Sequence, residues 1–345
     1  MSILEQTKKS YNNLKLVNGV FPNLFKDVVG QQRAKRRIKF YLSSYGQTRK
    51  FPNILLTAQT GNGKSLIAKE TAKGLVKFND QNEIEINEKN GLPKIKNFLE
   101  INCSVLTNVK DWIAGYVVPH IQDKNITVLW DEASEIPLEI SMALLTILNP
   151  NVVKTTLNHE DYVCDFDFTK QTFIFATSEP NKLFHALRDR LKGHRIDLEN
   201  YSKEELAQII QKSTPNVIYD NGVLEEVASV SRGNARNSDY LASEIKTYLG
   251  GDNGNFTMKN WYELRDILSI RPLGLNESEI EILKFLKDSP KGSSLTSLSA
   301  KSGLSRSAIR SDTEIYLQRL GFMSIEIGNG RTITPKGADY LKNLL

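Results

Sequence analysis

Long apolar runs, cysteine and histidine are scarce in this chain, and each scarcity closes off a class of function. No stretch approaches the ~20 consecutive apolar residues of a membrane span. The first 23 residues mix Glu5, Lys8, Lys9 and Lys15 with polar side chains and lack the apolar centre of a secretory leader, so a cytoplasmic location is expected. Cys103 and Cys164 are the only cysteines and lie far apart, which argues against a disulfide framework and fits a reducing compartment. Four scattered histidines and no Cys-x-x-Cys pair argue against structural zinc. Charge of one sign is also in short supply: a net +5 over 345 residues does not by itself identify a polyanionic partner.

The basic residues are nevertheless unevenly placed. Residues 1–50 hold eleven Lys/Arg against two acids, clustered at Arg33, Lys35, Arg36, Arg37 and Lys39. These can form the solvated face of a helix whose Ala34, Ile38, Tyr41 and Leu42 point inward, or they can face phosphates. The length predicts about two to three domains.

What is present begins at the apolar run Ile54-Leu55-Leu56, followed by Ala58-Gln59-Thr60-Gly61-Asn62-Gly63-Lys64-Ser65. A strand, a glycine-rich loop and a helix starting near Lys64 aim several backbone N–H groups at one point, which favours a polyanion. Gly61 and Gly63 allow close approach of the backbone to phosphates. Lys64 is placed to reach the β- and γ-phosphates, and the Ser65 hydroxyl to ligate Mg²⁺. Thr60, Asn62 and Leu66 complete the expected nucleotide contacts. Ala58 stands where a glycine is usual, at a position that tolerates negative φ.

Beyond the loop, apolar runs alternate with helical stretches, as a parallel sheet requires. The predicted strands are Ile54–Thr57, Phe98–Asn102, Ile126–Trp130 and Thr172–Ala176. The third ends in Asp131-Glu132, at the strand edge where open α/β sheets bind ligands. Asp131 is expected to hold Mg²⁺ and Glu132 to orient or activate the attacking water. The fourth ends at Thr177-Ser178; a hydroxyl there can reach the γ-phosphate or the attacking water if strands one, three and four are neighbours, or it is a plain strand-end hydroxyl. Arg188 and Arg190 then follow within Leu187-Arg188-Asp189-Arg190-Leu191. They can form salt bridges or project into a neighbouring subunit's nucleotide site. Arg236, at the start of a helix after Gly233-Asn234-Ala235, is long enough to lean over a triphosphate.

Asp27-Val28-Val29-Gly30-Gln31, the phosphate loop, Asp131-Glu132, Ala176-Thr177, Leu187-Arg188-Asp189-Arg190 and Gly233-Asn234-Ala235-Arg236 occur in this order. Together they resemble an AAA+ ATPase of the RuvB Holliday-junction branch-migration family, from about Phe21 to the C-terminus. The resemblance implies an adenine pocket near Val28, Val29 and Tyr201. It also implies Thr177 as sensor 1, Arg190 as a trans-acting arginine finger and Arg236 as sensor 2. Phe21, Val28, Ala133-Ser134 and Leu191 depart from the family's residues and mark a distant relative.

The expected fold is α/β: an AAA+ P-loop parallel-sheet core, a small helical lid and a C-terminal winged helix. The expected domains are an N-terminal extension (1–22), a large ATPase domain (23–198), the lid (199–268) and the winged helix (269–345). Ser202 with Glu205 signals a helix N-terminus that opens the lid. In the last domain Asn276 caps a helix through Lys287, a second spans Leu295 to Lys301, and Ser305 caps a third. Gly328-Asn329-Gly330 then joins strands Phe322–Ile327 and Arg331–Thr334. Residues 269–345 carry eleven Lys/Arg against eight Asp/Glu, a net +3. Arg306, Arg310 and Arg331 are the expected DNA contacts, to phosphate and not to base edges.

Ala114-Gly115-Tyr116-Val117 looks like the aromatic pore loop of protein unfoldases, but the strand at Ile126 follows too soon, and a buried helix turn is expected. Val152–Thr156 can pair with Tyr162–Phe166 across residues 158–161. By resemblance this hairpin, within 150–170, docks a RuvA-like partner, although its tip is polar. The expected function is an ATP- and Mg²⁺-dependent translocase assembled as a ring, a hexamer by resemblance, on duplex or junction DNA. The alternative is an ATP switch of the replication initiator or loader type.

Overall fold

The computed structural model describes residues 24–344 apart from 80, 82, 150, 151, 327 and 329. The expected N-terminal extension, Phe21, and the wing residues Ile327 and Asn329 lie outside the described residues. The chain divides after Tyr201 into two compact units. Residues 199–268 and 269–345, separated in the sequence reading, fall almost entirely in the second.

The first unit is a five-stranded parallel sheet. Its strands are β1 (Ile54–Thr57), β2 (Asn97–Asn102), β3 (Ile126–Asp131), β6 (Gln171–Thr177) and β7 (Arg195–Asp197), in the order β2-β3-β6-β1-β7. Strands buried on both faces read as unbroken apolar runs, and β1 and β6 are buried at every position. Side-chain alternation splits them between two cores. Leu55, Val128, Trp130, Phe173 and Phe175 face one, where Trp130 stacks on Phe175 at a centroid separation of 5.7 Å. Ile54, Leu56, Leu129, Ile174 and Ala176 face the other, under helices α1 (Gln32–Thr48) and α2 (Lys64–Lys73). The short strand β7, absent from the sequence reading, closes the β1 edge, with Leu56 opposite Ile196.

Two segments differ from expectation. The hairpin consists of β4 (Lys154–His159) and β5 (Tyr162–Asp167), with His159 paired to Tyr162 across a two-residue turn. Glu160 adopts φ 50 there, so Asn158 and His159 belong to the strand and not to the turn. Residues Ile113–Ile121 form a π-helix rather than a loop; Val117 is fully buried and Tyr116 partly so, but Ala114 and Gly115 are exposed, so the expected buried turn holds only for its second half.

At the sheet's opposite end Lys96 is buried with 3% exposure. Its ammonium donates to the Thr169 carbonyl (3.1 Å) and Thr172 Oγ1 (3.2 Å) and lies 5.1 Å from the Tyr45 ring centroid. Burial pulls its pKa down to about 7, only partly countered by Asp167. Between pH 7 and 10 the unfolded chain therefore holds a proton that the folded one has released, and stability rises with pH. The slope from this group is at most about 1.4 kcal/mol per pH unit. Denaturant midpoints measured from pH 7 to 9.5 should climb in the unmodified protein, and the climb should flatten in Lys96→Met.

In the second unit, α5 (Lys203–Ser213) opens on the expected capping box, with Ser202 and Glu205 bonding each other's backbone. Helices α6 (Val223–Ser229), α7 (Ala235–Leu249) and α8 (Met258–Ile267) follow, with a parallel pair of β8 (Asn216–Tyr219) and β9 (Asn253–Phe256) that the sequence reading missed. Helices α9 (Glu277–Lys287) and α10 (Leu295–Ser302) precede a third, α-helical over Arg306–Ala308 and Ile315–Arg319 with a π-helical Ile309–Glu314 between. The hairpin β10 (Met323–Glu326) and β11 (Gly330–Ile333) and helix α11 (Pro335–Leu344) complete a winged helix. Gly330 is required: at φ 79 its missing Cβ would sit 2.4 Å from the Ser293 carbonyl, which pairs with Arg331.

Candidate functional site

The phosphate loop sits at the C-terminal edge of β1, between strand and helix as expected. Gly61 and Gly63 both have φ 85, a backbone open to glycine at little cost. Gly63 is also the N-cap of α2, so the loop hands its amides directly to a helix start. Lys64 folds its ammonium back onto the Ala58 carbonyl (3.0 Å) and Gln59 carbonyl (3.3 Å), which holds a cation over the loop mouth. Leu66 is exposed on the first turn of the helix.

Because β6 lies between β1 and β3, residues from three strand ends converge on this edge. Ser65 donates to Asp131 Oδ2 at 2.9 Å, joining the loop to the end of β3. The amide of Glu132 donates to the other Asp131 oxygen at 3.1 Å. Glu132 has φ 53 and ψ 47, a left-handed conformation that is uncommon for a residue with a side chain. Glu132 is exposed. Thr177 is fully buried, and its Oγ1 accepts from the Glu179 amide at 2.9 Å. The neighbouring Ser178 is the exposed hydroxyl at this strand end. Burial and the nearby carboxylates of Asp131, Glu132 and Glu135 push the Cys103 thiol up, which keeps it protonated and inert.

The donor set fits a triphosphate with a divalent ion. A hydroxyl and one carboxylate oxygen already touch where such an ion would be shared. Mg²⁺ in phosphate sites takes few protein ligands and completes its octahedron with water and phosphate oxygens. Among the described residues there is no group of three or more His, Cys, Asp or Glu that could hold a metal ion.

Val28 is buried and Val29 half-buried. The segment is tied to the exit of β7 through Glu199 and Asn200, two partners that sequence reading did not single out. Gln31 exchanges two hydrogen bonds with the backbone of Glu199, at 2.7 and 3.0 Å. Asn62 donates to Asn200 Oδ1 at 2.8 Å, while its own buried Oδ1 has no partner. Tyr201 is buried, with its hydroxyl donating to the Asn62 carbonyl at 3.4 Å and directly over Gly63. Of the basic run on α1, Arg33 pairs with Glu199, Lys35 donates to the Val28 carbonyl, and Arg37 donates to the carbonyls of Gly193 and Arg195. These cations brace the same wall, while Arg36 and Lys39 stay exposed.

Arg190 lies on the exposed side of α4 (His185–Leu191). Its guanidinium donates to the carbonyls of Leu148 (2.9 Å) and Leu145 (3.4 Å) at the end of α3 (Leu138–Ile147). Arg236 is exposed in the first turn of α7, whose N-cap Asn234 accepts from its amide.

On the winged helix, Arg306 and Arg310 are exposed. With Leu295, Ser307 and Ser311 they line a cavity of about 450 Å³. Arg331, expected at a DNA phosphate, is instead an internal pin. Its guanidinium donates to both Glu314 oxygens, at 2.8 and 3.4 Å, and its side chain is 15% exposed. Glu314 is buried on the third helix, where an unpaired carboxylate would be costly, and Arg331 meets that demand.

Residues 272–342 match the family described as RuvB C-terminal winged helix domain. The chain is 28% identical over 332 residues to the Holliday junction branch migration complex subunit RuvB of Ehrlichia canis, covering 93% of this chain and 92% of that one. The chain resembles RuvB along nearly its whole length. The RuvB subunit of Mycoplasmopsis pulmonis is 26% identical, with 94% and 98% covered. The Thermotoga maritima RuvB Holliday junction branch migration motor shares the fold, with a TM-score of 0.70 over 93% of this chain and 97% of that one at 21% identity. The RuvB-like extent covers the phosphate loop, the acid pair and the winged helix together. No helix among the described residues is long and apolar enough to cross a membrane.

Proposed function

We propose that this chain is an ATP-driven motor of the RuvB kind, which works as a ring on duplex or junction DNA. The observation that carries the reading is the 2.9 Å contact between Ser65 and Asp131, with Glu132 next in sequence at the same strand edge. An ATP switch of the initiator or loader type is not favoured, because the similarity runs to branch-migration subunits.

The residues divide the work as follows. The loop amides, Gly61 and Gly63 cradle the phosphates, and Lys64 exchanges its two carbonyl partners for phosphate oxygens. Thr60, Asn62 and Leu66 line the loop, while Val28, Val29 and Tyr201 wall the base. Ser65 and Asp131 would hold a Mg²⁺ ion, which would neutralise developing phosphate charge when bound. Glu132 orients or deprotonates the attacking water. Thr177 holds the β6 exit, which leaves Ser178 as the more accessible hydroxyl. Arg190 serves as the finger for an adjacent copy and Arg236 as the lid's contact to nucleotide. We assign the lid to residues 199–268 and the DNA module to 269–345. The hairpin β4–β5 remains the candidate dock for a RuvA-like protein. Its tip is polar, but Val163 on its flank is 64% exposed and Met142 beside it 54%, so more apolar surface is offered than the tip suggests.

DNA contact by Arg306 and Arg310 has a quantitative consequence. Each phosphate contact removed should reduce the slope of log affinity against log salt by about 0.9. Arg306→Ala and Arg310→Ala should each show this drop in duplex-binding titrations. Arg331→Ala should instead lower folding stability by about 3–5 kcal/mol, because it strands the buried Glu314. The overall reading is tested by strand exchange on synthetic four-way junctions, with the protein alone and with a junction-binding protein. ATP-dependent exchange supports it; nucleotide turnover without any DNA movement in either case contradicts it.

A further inference from the structure

The loop Ser231–Asn234, which leads into the helix bearing Arg236, is fastened to the winged helix. Arg232 donates to Glu279 of α9 at 2.6 and 3.4 Å, and the Glu279 side chain is only 2% exposed. The same guanidinium lies 3.8 Å from the centroid of the Tyr316 ring on the third helix. Arg319, one turn further on, lies 4.9 Å from the centroid of the same ring and donates to the Arg232 carbonyl. Tyr316 in turn donates to the Leu273 carbonyl in the connection between the lid and α9. That connection runs against the loop: a Cβ on Gly274 would fall 2.3 Å from the Val230 carbonyl. Arg232 itself has φ 59, held in place by these contacts.

We propose that Arg232 is a positioning residue that locks the lid loop to the winged helix. The two then move as one body, and any shift imposed on Arg236 by nucleotide is delivered to the DNA module. The first part rests on contacts within this unit; the second rests on the function proposed above. A bidentate guanidinium stacked on an aromatic ring holds direction as well as distance, which a flexible ammonium cannot reproduce. Three residues lie between Arg232 and Arg236, so the docking side chain in the loop sits directly before the sensing one at the start of α7.

The test uses full-length protein spin-labelled at Ser243→Cys on α7 and Glu281→Cys on α9, since Cys103 and Cys164 are buried. Pulsed EPR should give one narrow distance distribution, unchanged by an ATP analogue with Mg²⁺. Arg232→Ala should broaden it at least twofold, with Arg232→Lys intermediate. Glu279→Gln keeps a side chain able to cap α9 and should broaden it as well. In the unlabelled variants, DNA-free ATP hydrolysis should stay within twofold of the unmodified protein, while stimulation by duplex DNA falls at least tenfold. An unchanged narrow distribution in both Arg232→Ala and Glu279→Gln overturns the lock. A broadened distribution with full DNA stimulation overturns its role in transmission. If DNA fails to stimulate the unmodified protein, the motor reading falls, while the EPR result still decides the lock.

Discussion

Glu132→Gln should bind ATP with nearly native affinity and lose turnover by about 10²–10⁴-fold, the range general-base removal produces. The substitution is close to isosteric, and the left-handed backbone at φ 53 is set by the strand exit and by the Asp131 contact, neither of which needs the charge. Phosphate and metal ligands also remain, because Lys64, Ser65 and Asp131 are untouched. Titration with a fluorescent ATP analogue and a steady-state phosphate-release assay separate the two effects. Turnover within twofold of the unmodified protein would remove Glu132 from the reaction.

Arg190→Ala should leave nucleotide binding intact and slow hydrolysis in assembled protein by about 10³-fold, the lower end of what a trans-acting arginine contributes. Within its own chain Arg190 donates to two carbonyls at the end of α3, where a cation also suits the helix dipole. Those bonds are weak enough to exchange for a phosphate, since the guanidinium is on an exposed surface. The loss should therefore depend on protein concentration, appearing only where copies associate. Arg190→Lys should recover the helix-end contact but little of the rate, because an ammonium lacks the planar fork. A rate deficit identical in dilute and assembled protein would place Arg190 in a purely internal role.

The parts of the molecule that were legible in the sequence are those set by local patterns. Ile54–Thr57 and the two long central strands announce themselves because a sheet covered on both faces needs unbroken apolar runs. Asn276 and Ser202 mark helix starts through residues only three positions away. What stayed hidden depends on partners distant in the chain. The strand Arg195–Asp197 has one apolar residue, Ile196, and exists because β1 offers it an edge. Asn62 finds Asn200 138 residues away, and no local signal pairs them. Arg331 looked like a wing-tip cation because Gly328-Asn329-Gly330 precedes it; its true destination was set by a buried Glu314 on another element. The hairpin turn was misplaced by two residues because Asn158 and His159 have turn-like chemistry, whereas the actual turn uses Glu160 at positive φ.

The most direct test of a nucleotide shared between copies is a mixing experiment. Glu132→Gln lacks the base but keeps the finger, and Arg190→Ala lacks the finger but keeps the base. If Arg190 serves a neighbour's site, combining the two inactive proteins creates seams with both groups intact. Hydrolysis should then rise well above the sum of the separate rates and peak near equal proportions. A mixed rate that merely averages the two parents at every ratio would contradict the account.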